Sequence, residues 1–144
     1  LKKPRKNLFI VELVLLLDLC FCKTQCEYIM IRSGSIIVES DNDLEIVGTI
    51  VSGFDYLDNL IVEYRFEDYR SGGKDYSYSA IIDEDDAKVM ARCLKVSLSS
   101  LPQVLYDKFG CSFSEILVPS VVVGIFGDIL YFVLDCGAKY KLKR

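Results

Sequence analysis

The stretch LIVEYRFEDYRSGGKDYSYSAII, residues 60–82, decides the fold. Leu60, Val62, Tyr64 and Phe66 alternate with Ile61, Glu63, Arg65 and Glu67. That two-residue period is a strand with one apolar face. Ser71-Gly72-Gly73-Lys74 then supplies the small residues of a hairpin loop. The return strand, Asp75 to Ile82, places Tyr76, Tyr78, Ala80 and Ile82 on one face and Ser77, Ser79 and Ile81 on the other. Two aromatic-rich faces therefore meet across one hairpin, and cross-strand pairs of that kind stabilise a sheet.

Upstream, Ser35–Glu39 reads as a short strand and Asp41-Asn42-Asp43 as turn chemistry. Leu44–Val51 reads as another strand, with Leu44, Ile46, Gly48 and Ile50 on one side, and Ser52-Gly53 to Asp58-Asn59 as a connection. Downstream the period lengthens. Asp83 suits a helix N-cap, and Glu84, Asp85 and Asp86 load the first turn with the favoured charge. Ala87, Met90, Ala91, Leu94 and Leu98 follow at helical spacing. Ser99 or Ser100 can cap a further helix, with Pro102 tolerated in its first turn, Leu101, Leu105 and Phe109 on its apolar stripe and Gly110 past its end. The expected fold is α+β: an antiparallel sheet of about four to six strands with two helices packed on one face.

The two ends admit alternatives. Residues 116–134 contain one charge, Asp128, and are followed by Lys139, Lys141, Lys143 and Arg144. The favoured reading is a buried β-hairpin, Val118–Val123 and Ile129–Leu134, turning at Gly124 or Gly127-Asp128. The other is a membrane span, which Pro119, Gly124, Gly127 and Asp128 all weaken. Residues 1–29 place Lys2, Lys3, Arg5 and Lys6 before the apolar run Leu8–Cys22. That resembles a secretory signal or anchor, but Glu12 and Asp18 interrupt the run and no small-residue cleavage site follows. Natural initiation at Met30, or a vestigial leader, is the preferred reading; an integral core helix is the third. Residues 30–144 are then one domain.

Composition excludes more chemistry than it suggests. The chain of 144 residues has no His, so Ser-His-Asp and Cys-His nucleophile systems, a His base and His-ligated zinc are all excluded. The formal charge of −4 argues against a nucleic-acid binder, and it hides an asymmetry: five basic and fifteen acidic groups lie in residues 27–90, between mildly basic ends. Six cysteines include Cys20, Cys22 and Cys26 in a C-x-C-x3-C pattern, with no His to complete a site; the expected state is reduced thiols, with Cys93 on an apolar helix face. Ser71–Lys74 lacks the spacing of a phosphate loop, and Asp41, Asp43 and Glu45 lack the register of a calcium loop. No catalytic residue, metal or cofactor is expected, although a carboxylate- or thiolate-based enzyme remains formally open. Tyr64, Tyr69, Tyr76 and Tyr78 read as packing. The candidate binding feature is an acidic patch of Asp41, Asp43, Asp55, Asp58, Glu63, Glu67 and Asp68, suited to a basic protein partner.

The run Lys74 to Ile82, the acidic helix start after it, Leu94, and Leu101 to Phe109-Gly110 are similar to small uncharacterised bacterial α+β proteins of the toxin-immunity type. In those a Tyr-rich strand leads into a helix and then a Lys-Phe-Gly ending. The resemblance spans roughly residues 36–115. It implies a binding role without catalysis, and it carries over no functional residue. The expected function is a non-enzymatic protein-binding module of the immunity or inhibitor kind, in the cytoplasm. The alternative is a membrane-anchored protein, held through Leu8–Cys22 or Ile116–Leu134, with residues 27–115 on one side of the bilayer.

Overall fold

The computed structural model describes residues 30–32, 34–41, 43–110 and 117–144. All but Met30 belong to the unit Ile31–Arg144. The expectations for residues 1–29 lie outside the described residues, as do Asn42 and Cys111.

The alternating stretch forms its hairpin, and the two expected faces meet across it. Strand β3 (Leu60–Asp68) pairs with β4 (Tyr76–Ile82) so that Leu60 meets Ile82, Val62 meets Ala80, Tyr64 meets Tyr78 and Phe66 meets Tyr76. Phe66 and Tyr76 stack at 4.6 Å. Strands β1 (Ser35–Glu39) and β2 (Ile46–Phe54) lie on the other side of β3, and a short β5 (Lys141–Lys143) pairs with β4. The sheet is antiparallel throughout, in the order β1-β2-β3-β4-β5. Ser52 and Gly53 belong to β2 rather than to a connection. Their ladder to β3 continues to Phe54 opposite Leu60, and the Ser52 hydroxyl donates to the Ile61 carbonyl at 3.0 Å.

Helix α1 (Glu84–Leu94) starts as its sequence dictates, with Asp83 Oδ1 accepting from the Asp86 N–H at 2.8 Å. Helix α2 (Leu101–Phe109) follows a 3-10 turn at Leu98–Ser100 and carries Pro102 in its first turn. Ser100 occupies its N-cap position without a side-chain cap bond. Ile50, Leu60, Val62, Ala80 and Ile82 of the sheet bury against Met90, Leu101 and Leu105 of these helices. Tyr64 joins this core at 2% exposure, and burial, with the neighbouring Tyr76 adding to it, pushes its phenol up to about 12. The opposite face carries buried side chains as well, among them Val47, Val51, Ile61 and Glu63.

The C-terminal segment corrects the sequence expectation. Pro119–Asp135 is a third helix, α3, not a hairpin. Val122, Phe126, Ile129 and Val133 are its buried residues, and their spacing of three and four puts them on one helical stripe. Burial of that stripe against β2 and β3 outweighs the weak helix propensity of Val and Ile. Pro119 fits because a first-turn proline lacks only an N–H that the helix leaves unbonded. Among the described residues no helix is long and apolar enough to cross a membrane.

Gly124 and Gly127 do not turn the chain. A Cβ at either would meet nothing within 4 Å. Gly124→Ala and Gly127→Ala are each expected to stabilise the domain by about 0.5–1 kcal/mol, since alanine restricts the unfolded chain and favours helix. Urea unfolding followed by circular dichroism measures this. A loss of stability at both positions would mean that a tightly packed neighbour occupies that face.

Candidate functional site

The loops β1–β2 and β3–β4 emerge at the same end of the sheet, because Ile46 pairs with Asp68. Each is tied down by its own carboxylates. Asp41 Oδ1 accepts from the Asp43 N–H at 3.0 Å, and the Asp41 carbonyl accepts from Leu44 N–H at 3.3 Å. This is the turn that Asp at such a position builds. Glu45 is held to the neighbouring loop by the Tyr69 N–H, which donates to its carbonyl at 2.8 Å. Asp68, 6% exposed, takes the Arg70 guanidinium in a fork, with Nε on Oδ1 at 2.9 Å and Nη2 on Oδ2 at 2.7 Å. Asp75 Oδ1 accepts from the Asp68 N–H at 2.9 Å and closes the loop.

Helix α3 begins over this end. An open groove of about 610 Å3 results. Leu44, Ile46, Phe66 and Pro119 supply its apolar lining, and Asp43, Glu45, Arg70 and Ser120 its polar one. Ile46 and Phe66 lie on the sheet face that the helices cover, so the groove is the open margin of the core. Phe66 is fixed from the side by Tyr76, over which the Arg144 guanidinium sits at 5.8 Å.

The seven carboxylates of the expected acidic patch are not brought together. Asp43 lines the groove, with Asp41, Glu67 and Asp68 at the same end of the sheet. Asp55 and Asp58 are at the far end of β2, about 26 Å away for eight strand residues. There Asp55 builds the β2–β3 turn, accepting from the N–H groups of Leu57 and Asn59, each at 2.9 Å. Asp58 pairs with Arg32 at 2.9 Å. Glu63 is buried in mid-sheet, paired with Arg65 and accepting from the Ser79 hydroxyl at 3.3 Å. Glu67 accepts from the Tyr69 hydroxyl.

The chain matches no protein-family model, no curated protein and no solved structure.

What sequence reasoning missed has an identifiable signal. Glu63–Arg65, Glu67–Tyr69 and Asp68–Arg70 are all spaced by two residues. Within β3 that spacing puts Glu63 and Arg65 on one face, within reach of each other, and Tyr69 and Arg70 stand just past the strand's end at the same spacing. An acid two residues before a donor therefore reads as engaged, which sets these three apart from a freely presented patch. Of the groove residues, Leu44 and Glu45 belong to the expected strand Leu44–Val51 but precede β2, which starts at Ile46, while Pro119 and Ser120 join only because residues 119–135 are a helix. Tyr64, Tyr76 and Tyr78 pack on one another and on Phe66 and Phe126 as expected of sheet-face aromatics. Among the described residues no three carboxylates or thiols are grouped to hold a metal ion.

Proposed function

We propose that this chain is a non-enzymatic protein-binding module, of the inhibitor or immunity kind, that receives a basic segment of its partner at the sheet end formed by the β1–β2 and β3–β4 loops. The observation that carries this reading is a groove with Asp43 and Glu45 beside an apolar floor of Leu44, Ile46 and Phe66. A lysine side chain needs that combination. Its aliphatic stem buries along apolar surface while its ammonium stays at a wet, acidic rim. The acidic middle of the chain adds long-range attraction, which raises the association rate more than the affinity. The bipartite acidic patch leaves Asp55 and Asp58 as an internal control, since they carry the same charge at the opposite end of the sheet.

The test uses a labelled peptide of alternating Lys and Leu and the full chain, followed by fluorescence anisotropy. Binding is expected to weaken about tenfold as salt rises from low to several hundred millimolar. The double reversal Asp43→Lys, Glu45→Lys is expected to weaken it by a further factor of about ten, and Asp55→Lys, Asp58→Lys to leave it within about twofold. Equal losses from the two double variants would show non-specific charge attraction and remove the groove from the proposal.

A further inference from the structure

The segment after α3, residues 137–139, runs back along α1. The Lys139 N–H donates to Asp86 Oδ1 at 3.1 Å, and a Cβ at Gly137 would lie 3.8 Å from Val89 Cγ1. From Asp86 to Cys93 is seven residues, two turns of helix, which returns to the same stripe about 10 Å further along. Cys136 lies three residues before Lys139, next to Gly137, in the turn that ends α3. The two segments run in opposite directions, so these contacts bring Cys136 alongside Cys93. Cys93 is also the side chain that, after burial, most affects the Cys136 thiol. Both are free, Cys93 exposed and Cys136 buried in the core cluster. Their environments differ in a useful way. Burial above all, with Cys93 adding to it, raises the Cys136 thiol to about 11, so it stays protonated at neutral pH.

We propose that Cys93 and Cys136 are a reversible redox pair, in which a hydroperoxide oxidises the exposed Cys93 and the buried Cys136 resolves it to a disulfide joining α1 to the end of α3. The Cys93 sulfur attacks the peroxide, whose O–O bond breaks. Cys93 becomes a sulfenic acid, and its proton leaves with the displaced oxygen as water or alcohol. The Cys136 sulfur then attacks the sulfenic sulfur, the S–O bond breaks, and the hydroxyl departs as water with the Cys136 proton. Two thiols lose two electrons and one peroxide gains them; a dithiol reductant reverses the change by exchange. The disulfide spans the whole of α2 and α3, so its formation ties the last core helix to the first. This inference is independent of the groove and of what binds there.

The experiment treats the full chain with hydrogen peroxide, alkylates remaining thiols after unfolding, and digests after acidic residues. Cleavage at Glu115, Asp128 and Asp135 separates Cys111 from Cys136. Mass spectrometry is expected to show one intramolecular link between the Cys93 and Cys136 peptides, removed by dithiothreitol. The oxidised chain is expected to melt roughly 5 °C or more above the reduced one. In Cys136→Ala the Cys93 sulfenic acid, trapped with dimedone, is expected to accumulate; in Cys93→Ser, Cys136 is expected to remain alkylatable. Cys136 recovered as a free thiol from oxidised wild-type chain, while Cys93 is sulfinic or linked to another cysteine, overturns the proposal. Mapping of the wild-type chain decides this even if Cys136→Ala fails to fold.

Discussion

Ile129→Ala is expected to destabilise the domain by about 2–5 kcal/mol, while Tyr131→Ser changes it by less than about 0.5 kcal/mol. Ile129 is fully buried in α3 beside Phe126 and Val133, and truncating it removes apolar contact and leaves a cavity under the sheet. Tyr131, two residues on, is 71% exposed. This contrast is specific to a helix. In a strand, residues 129, 131 and 133 would share one face, and the three would be costly or harmless together. Val133→Ala is expected to follow Ile129→Ala in direction, with a smaller loss because fewer methyl groups are removed. Urea midpoints by circular dichroism measure all three. Similar losses at Ile129 and Tyr131 would overturn the helical packing of residues 119–135, and with it the wall of the groove.

The hairpin of residues 60–82 was legible because its information is local. Alternation, a Gly-Gly loop and facing aromatics all lie within 23 residues, and each points to the same register. The start of α1 was legible for the same reason, since Asp83 and the Asp86 N–H it caps are three residues apart. Residues 119–135 were not legible. Val121, Val123, Tyr131 and Leu134 are exposed apolar residues, and they blur the stripe formed by Val122, Phe126, Ile129 and Val133. With apolar side chains on every side, neither period stands out, and β-branched composition then favours the wrong element. Tertiary burial makes the choice, and it is not written in any short window.

The candidate site divides in the same manner. Acidic excess was readable from composition, but position was not. Glu67 and Asp68 close one end of β3 and Asp58 precedes its other end, so ten residues of separation in sequence become the length of the sheet. The carboxylates that share an end are mostly committed to the chain's own donors, as Asp68 is to Arg70. A surface for a partner is therefore better sought where acid meets apolar lining than where acids are most numerous. By that criterion Asp43 and Glu45, above Leu44, Ile46 and Phe66, are the place.

Gly48→Val is expected to cost about 2–3 kcal/mol, although valine is the better strand former by up to about 1 kcal/mol. The sign follows from what stands over the residue. A Cβ there would lie 3.2 Å from Tyr64 Cε2 and 3.3 Å from Pro119 Cα. The first neighbour is a ring buried to 2% exposure and the second is backbone, so neither yields as a flexible side-chain tip would. Valine adds two further carbons beyond that Cβ. Gly48 also exchanges hydrogen bonds with Ser40, its N–H donating to Ser40 Oγ at 2.9 Å and its carbonyl accepting from Ser40 N–H at 2.8 Å, so β2 is not free to retreat. The remaining relief is displacement of the α3 N-terminus, and Pro119 and Ser120 there line the groove. Two readouts should therefore move together: a lower urea midpoint, and weaker binding of the Lys-Leu peptide under conditions where the variant is still folded. A loss of stability with unchanged peptide binding would separate the groove from the seat of α3. No loss of stability at all would mean that α3 does not rest on β2 at Gly48, and the groove would have no wall on that side.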